Sequence, residues 1–296
     1  MSPIERLRRI LPGNVDGGRL RIAIALILVV GASALFWASR DYGVTAPEWD
    51  GQVRGIAYNP SHLFTRREAQ ADISPEQIDR DMAQLAKVTG HVRTYTVGKG
   101  LDRLPEIAAR YGLTVSLGIQ LGPDLEKNER EIETAIATAR ANRGTIDRVF
   151  VGNEVILNSF VTPDQLNGYI QRVRAALPAR IKITTGEPWS TWLLYPEIGK
   201  YVDVVAVHLF PYWEGVDVNN GFDFMQRALA DVQQEFPDKP IIIGEAGWPS
   251  EGRSKRNAEP SLGNEAFHIR GFVQLAMEKG WDYYLLEAYD QPWKIS

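Results

Sequence analysis

Two short segments hold the residues with the clearest chemical potential. Arg148–Glu154 reads RVFVGNE and Ile241–Ser250 reads IIIGEAGWPS. Each is an apolar, β-branched run that passes through a glycine to a carboxylate: Glu154, preceded by Asn153, in the first, and Glu245 in the second. Such runs read as buried strands, so each carboxylate stands at a strand end. Glu187 in TTGEPW and Glu287 in YLLEAYD stand in the same way. A single strand-end glutamate is explained as well by an arginine partner as by chemistry. Four that share one opening repel each other, which raises some pKa values and lowers others. One protonated carboxyl beside one ionised carboxylate is what cleavage of a glycosidic bond requires.

The elements that must position them alternate in texture. Eight β-branched segments (RGIAYNP, HVRTYTV, LTVSLGIQL, RVFVGNE, IKITTGEPW, VDVVAVHLFPYW, IIIGEAGWPS and WDYYLLEAYD) are separated by seven helix-like stretches. Ser74–Gln77 has the form of a capping box with proline at the first helical position. Leu125–Arg143 is charged, with an apolar stripe at Ile132, Ala135, Ile136 and Ala139. Thr162-Pro163-Asp164 opens another helix, and Phe222–Phe236 and Asn264–Lys279 supply two more. Strands alternating with helices predict a parallel sheet. Eight units over residues 53–296 predict a (β/α)₈ TIM barrel, whose chemistry gathers at the carboxyl ends of the strands. An open doubly wound sheet would normally carry a glycine-rich phosphate turn after its first strand, and GIAYNPSH is not one. The eighth strand ends near Asp290 and the sequence stops at Ser296, so the barrel is expected to lack its last helix. Either another segment covers that seam or the sequence is cut from a longer chain.

The amino terminus has a different character. Residues 1–21 are basic (Arg6, Arg8, Arg9, Arg19 and Arg21), Ile22–Ala38 carry no charge, and residues 39–52 read as a linker. An uncharged run of this length is at the short end of a membrane span. The preceding arginines would leave the amino end in the cytoplasm. The reading is a single-pass inner-membrane anchor with the barrel facing the periplasm or exterior; a signal peptide cleaved near Ala32-Ser33-Ala34 is the rival.

Composition removes other classes. The 296 residues are 44% hydrophobic and 24% charged, as expected of a globular chain. A net charge of −4 offers no footprint for nucleic acid. There is no cysteine, and His62, His91, His208 and His268 show no H-x-H or H-E-x-x-H spacing, so neither a metal nor another cofactor is expected. No G-x-S-x-G marks a serine hydrolase.

The pattern alone does not choose a catalytic pair among the four glutamates. V-G-N-E and I-G-E-A-G-W-P-S, however, resemble the fourth- and seventh-strand signatures of glycoside hydrolase family 17, the β-1,3-glucanases and their bacterial transglycosylating relatives. RGIAYNP and AYDQPWK resemble its bacterial branch, and the likeness covers roughly residues 54–294. The resemblance implies that Glu154 is the general acid/base and Glu245 the nucleophile of a retaining mechanism on β-1,3-glucan. In that frame the apolar neighbours Val155, Ile156 and Leu157 would desolvate Glu154 and favour its protonated form. Asn153 would bond the sugar 2-hydroxyl. Arg93 would keep a carboxylate ionised, and Tyr58 and Tyr95 would stand at the ends of the first two strands. Tyr212 is positioned to bond the nucleophile, while Glu187 and Glu287 would support subsites. Trp189, Trp213, Trp248 and Trp293 offer rings to stack on glucose, and Asp290 and Lys294 could bind hydroxyls. Two alternatives remain: a remodelling domain of a larger membrane glucan synthase, and a glucan-binding barrel without turnover.

Overall fold

Apolar alternation and capping turn the sequence into strands and helices much as the spacing predicts. The computed structural model describes residues 17–40, 46–60 and 71–291. Two units divide the chain, residues 1–45 and 46–296. In the first, helix α1 (Gly17–Arg40) contains the stretch Leu20–Trp37, with mean hydropathy 2.2 and none of it buried. By length and composition it is able to cross a membrane, and a signal sequence has the same features.

The second unit is a closed barrel of eight parallel strands in sequence order. The strands are β1 (Ile56–Ala57), β2 (His91–Arg93), β3 (Thr114–Ile119), β4 (Ile146–Asn153), β5 (Lys182–Pro188), β6 (Val205–Leu209), β7 (Ile241–Ala246) and β8 (Tyr283–Leu285). Among the described residues seven α-helices lie in the connections: α2 (Pro75–Leu85), α3 (Leu104–Ala109), α4 (Leu125–Ala141), α5 (Pro163–Ala176), α6 (Trp189–Leu194), α7 (Gly221–Glu235) and α8 (Leu262–Lys279). The barrel closes where Ile56 pairs with Leu285, with Leu285 N–H donating to Gly55 O at 3.0 Å. Caps start the helices where the sequence signals them. Ser74 accepts from Gln77 N, and Thr162 and Gln165 form a full capping box over Pro163. Residues 292–296, including Trp293 and Lys294, lie outside the described residues, as does His62.

Two layers of core follow from strand parity. Val149, Val151, Val205, Val207 and Ile243 point outward into the large cluster beneath the helices. Phe150, Ala206, Ile242 and Tyr284 point inward and fill the barrel. Continuing that inward parity up β2, β5 and β6 brings Arg93, Gly186 and His208 to the upper barrel.

Simple parity fails at β4 and β7, and the failures position the site. Between β4 and β5 the register runs from Phe150↔Thr184 to Asn153↔Gly186, one extra residue on β4. Gly152 takes this irregularity with φ of +87°, which favours glycine. Between β6 and β7 the register jumps from Val207↔Ile243 to His208↔Glu245, an extra residue at Gly244. Bulges of this kind re-aim the side chains that follow. The strands that lead to Glu154 and Glu245 each have one, within two residues of the glutamate.

Candidate active site

Arg93 is fully buried at the end of β2 and ties β2, β4 and β7 together. Its Nη1 donates to Gly244 O at 2.6 Å and to Glu245 Oε1 at 3.0 Å, and its Nη2 donates to Asn153 Oδ1. Its guanidinium lies over the Phe150 ring, 4.1 Å from the centroid, and 4.9 Å from that of Tyr95. A planar, permanently charged fork suits this multiple contact in a way that an ammonium does not. Asn153, expected to meet sugar, therefore has its side-chain oxygen engaged by Arg93.

His208, on β6 between the two glutamate strands, touches both carboxylates. Its Nδ1 lies 2.8 Å from Glu154 Oε1, and its Nε2 lies 3.6 Å from Glu245 Oε1. One donor atom from each of Glu154, His208 and Glu245 falls within 4.8 Å of the others. That spacing would suit a cation, but Arg93 already places its positive charge against Glu245. The three form a protein-internal charge cluster with that guanidinium. Two hollows around Trp281 and Asp282, at the opposite end of the strands, share no residue with it.

Glu154 has φ of +52°, a left-handed conformation seldom taken by a residue with a side chain. Its N–H donates to Gly186 O at 2.7 Å, and its carbonyl accepts from Asn158 Nδ2 at 2.7 Å, which fixes the turn. Burial pushes the Glu154 pKa up, but the His208 hydrogen bond, the His208 charge and Arg93 outweigh it and hold the carboxyl below its ordinary value. Desolvation alone thus does not set its protonation; the partner on β6, which spacing could not reveal, reverses the expected direction.

Glu187 has a different role from the expected subsite contact. It has the outward parity of Ile183 and is buried beneath the turn after β4. There it accepts from Ile156 N at 2.8 Å and Leu157 N at 3.2 Å. Burial raises its pKa to about 7 against the opposing pull of those two N–H groups. Tyr212 does not reach Glu245 in this arrangement: its hydroxyl donates to Arg253 O. It is Tyr95, on the chain leaving β2, that faces the nucleophile candidate. Its hydroxyl is buried beside Glu245, and burial, then the Glu245 charge, raise its pKa well above 10.

The remaining residues separate by exposure. Tyr58 is buried, its hydroxyl donating to Asp81 Oδ2 at 2.8 Å, so it has no open path to a ligand. Trp248 is also buried, packed with Tyr212, Val218 and Ala258, and its Nε1 donates to Glu259 O at 3.0 Å. Neither presents a free ring. Trp213 does, at 57% exposure, with Lys255 Nζ 5.1 Å from its ring centroid. Trp189 is half-buried against Phe224 and donates to Glu214 Oε1 at 3.3 Å. Glu287 accepts from Asn59 Nδ2, and its charge is felt by Tyr95. Asp290 is exposed and raises the pKa of Glu265, after burial, which is the larger cause.

The profile of the BtgE/BtgC glycoside hydrolase domain matches residues 55–296, the whole barrel. The chain belongs to that family. It is 28% identical over 232 residues to a probable beta-glucosidase btgE of Aspergillus flavus, covering 76% of this chain and 37% of that protein. It is 26% identical over 254 residues to the glucan endo-1,3-beta-glucosidase btgC of Emericella nidulans, covering 75% and 38%. The chain thus spans under two fifths of the length of these curated relatives. Its fold is similar to the crystal structure of a glycoside hydrolase family 17 beta-1,3-glucanosyltransferase from Rhizomucor miehei. That match has a TM-score of 0.72 at 25% identity and covers 81% of this chain and 88% of that one. The BtgE/BtgC barrel here is a glycoside hydrolase domain, in keeping with the family 17 resemblance of its two glutamate motifs.

Proposed function

We propose that the barrel acts on β-1,3-glucan with retention of configuration, Glu245 being the nucleophile and Glu154 the general acid/base. The observation that carries the reading is the approach of the two carboxylates: an oxygen of each lies within 4.8 Å of the other. Carboxyl groups about 5–5.5 Å apart suit a covalent glycosyl-enzyme, whereas inverting enzymes hold them roughly 6.5–9.5 Å apart to admit water. Arg93 Nη1, 3.0 Å from Glu245 Oε1, sets a permanent positive charge beside the nucleophile. In the first step a Glu245 oxygen bonds the anomeric carbon while the departing sugar oxygen takes a proton from Glu154. In the second, Glu154 removes a proton from water or from a sugar hydroxyl, and that oxygen displaces Glu245. The choice of β-1,3-glucan rests on the relatives' substrates.

Water and sugar acceptors share the first step, so product analysis separates hydrolysis from transfer. Linear β-1,3-gluco-oligosaccharides incubated with the chain should give shortened products, or longer ones if transfer dominates. Glu245→Ala should abolish turnover while oligosaccharide binding persists; undiminished turnover would mean that another residue is the nucleophile. The remaining sugar contacts assigned to this site are Trp213 at the mouth, Trp189 and Glu287 beside it, and Asp290, Trp293 and Lys294 after β8. Leu20–Trp37 we take as the anchor that leaves residues 53–296 outside the cytoplasm. Retention of the full chain in the membrane fraction after a salt wash tests that assignment.

A further inference from the structure

Proximity of Glu154 to Arg93 and His208 creates a difficulty for a general acid, because both favour the form without a proton. The geometry around His208 resolves it. The imidazole is fully buried and sits in a slot left by two glycines. A Cβ on Gly186 would lie 2.6 Å from Nε2, and one on Gly244 would lie 3.1 Å from Cδ2. The groups around the ring come from four elements: Arg93 from β2, Glu154 from the end of β4, Glu187 from β5, and Glu245 from β7, with Tyr95 of the chain after β2 on the far side of Glu245 and Arg93. Arg93 offsets one of the two carboxylates of Glu154 and Glu245. Among Arg93, Glu154, His208 and Glu245 one more proton gives neutrality, and buried charge is costly unless balanced.

That proton has two places to rest, on Glu154 or on His208. A neutral ring protonated at Nδ1 would leave the lone pair of Nε2, 3.6 Å from Glu245 Oε1, with no donor among the described residues. A doubly protonated ring instead donates from Nδ1 to Glu154 at 2.8 Å and sets its positive charge at ion-pair distance, 3.6 Å, from Glu245 Oε1. We propose that His208 holds the catalytic proton of the resting enzyme on its Nδ1–Glu154 hydrogen bond and yields it to Glu154 as the glycosidic bond breaks. This rests on the assignment of Glu154 as acid/base.

The step balances. The Nδ1 proton passes to Glu154, and the resulting carboxyl gives it to the glycosidic oxygen, which keeps the electron pair of the broken C1–O bond. Glu245 meanwhile forms its ester and loses its charge, while His208 becomes neutral. In the second step the acceptor's proton goes to Glu154 and returns to His208 as Glu245 is released. The ring's charge thus follows the charge of the nucleophile through the cycle.

Two measurements on the full chain test this. In the first, ring nitrogens of the four histidines are labelled and read by NMR at pH 7, with His208→Asn assigning the signal. Wild-type His208 should show both nitrogens protonated, and Glu154→Gln should return it to a singly protonated ring. A singly protonated ring in the wild type overturns the proposal. In the second, His208→Asn is compared on two donors. General acid catalysis contributes about 10²–10⁴-fold. The variant should therefore lose roughly 10²-fold on laminari-oligosaccharides, whose leaving sugar needs the proton. It should lose less than about 5-fold on 2,4-dinitrophenyl laminaribioside, whose leaving group does not. Equal losses on both donors would assign His208 a structural part only. If Glu154→Gln itself leaves turnover of both donors intact, the acid/base assignment is what fails, and the NMR result still decides where the proton lies.

Discussion

Arg93→Met is the perturbation for which the structure gives the firmest magnitude. The guanidinium is fully buried and contacts Glu245, Gly244 O and Asn153 with its two terminal nitrogens. Methionine fills much of the same volume over Phe150 but leaves Glu245, itself only 4% exposed, as a buried charge without its cation. Removing one partner of a buried ion pair costs about 3–5 kcal/mol. In a domain of this size each kcal/mol shifts the melting midpoint by roughly 2–4 °C, so a fall of roughly 6–20 °C is expected. The cost arises from the stranded charge, so adding Glu245→Gln should relieve it. The double variant should regain at least about 2 kcal/mol, while the unmet acceptors Asn153 Oδ1 and Gly244 O keep it below wild type. Denaturant unfolding of the four proteins in the cycle measures this coupling. A double variant no more stable than Arg93→Met, or a single-variant loss under about 1 kcal/mol, would refute the view that Arg93 is there to hold a buried carboxylate.

Three further expectations rest on separate contacts. Gly186→Ala places a methyl 2.6 Å from His208 Nε2 and 3.0 Å from Arg93 Nη2; steady-state kinetics should show kcat reduced about 10²-fold, and unfolding a loss of about 1–3 kcal/mol. Glu187, raised to about 7, contributes stability that is fully present below its unfolded value and is lost as pH rises through 7. Glu187→Gln should thus be the more stable protein by roughly 2–3 kcal/mol at pH 8 and about equal to wild type at pH 4, and an equal gap at both pH values would contradict this. Burial lowers the His268 pKa to about 4, so wild-type stability should decline as pH falls from about 6.5 toward 4. His268→Leu, between Phe222 and Phe272, should remove roughly 2 kcal/mol of that decline at pH 5, read by urea unfolding.

Period and punctuation made most of the fold legible. The apolar runs, the caps at Ser74 and Thr162, and the proline-started helices identify eight strand–helix units whose only economical closure is a barrel. Glu154 and Glu245 stood out because a carboxylate ending a buried run is chemically conspicuous. What sequence could not reveal was face and depth. Glu187 ends a strand as conspicuously as Glu245, yet its parity aims it outward beneath the turn after β4, where backbone N–H groups claim it. Tyr212 and Trp248 occupy strand-end positions but pack against each other beneath Val218 and Ala258. His208 passed as an isolated histidine, because its partners lie fifty-four residues before it and thirty-seven after it. A histidine inside VVAVHLF, on the inward parity of Ala206, was the available signal: a titratable ring in a barrel interior must be met by polar groups from other strands.

The barrel's geometry explains why the histidine has to come from β6. β4 and β7 are separated by β5 and β6, so their glutamates face each other across the mouth and cannot share a backbone contact. Something between them must couple the two charges. On β5 the inward position at that height is Gly186 and on β7 it is Gly244, so neither strand offers a side chain there. These absences open the slot, and His208 on the intervening strand fills it, one ring nitrogen to each side. The bulge at Gly244 completes the arrangement by turning Glu245 inward, where unbroken alternation would put it on the outward face with Ile243, and the bulge at Gly152 brings Asn153 to Arg93 just before Glu154. The bulges and the slot therefore depend on each other. Straightening β7 at Gly244 would remove Glu245 from Arg93 and His208 together, leaving the buried guanidinium without its carboxylate.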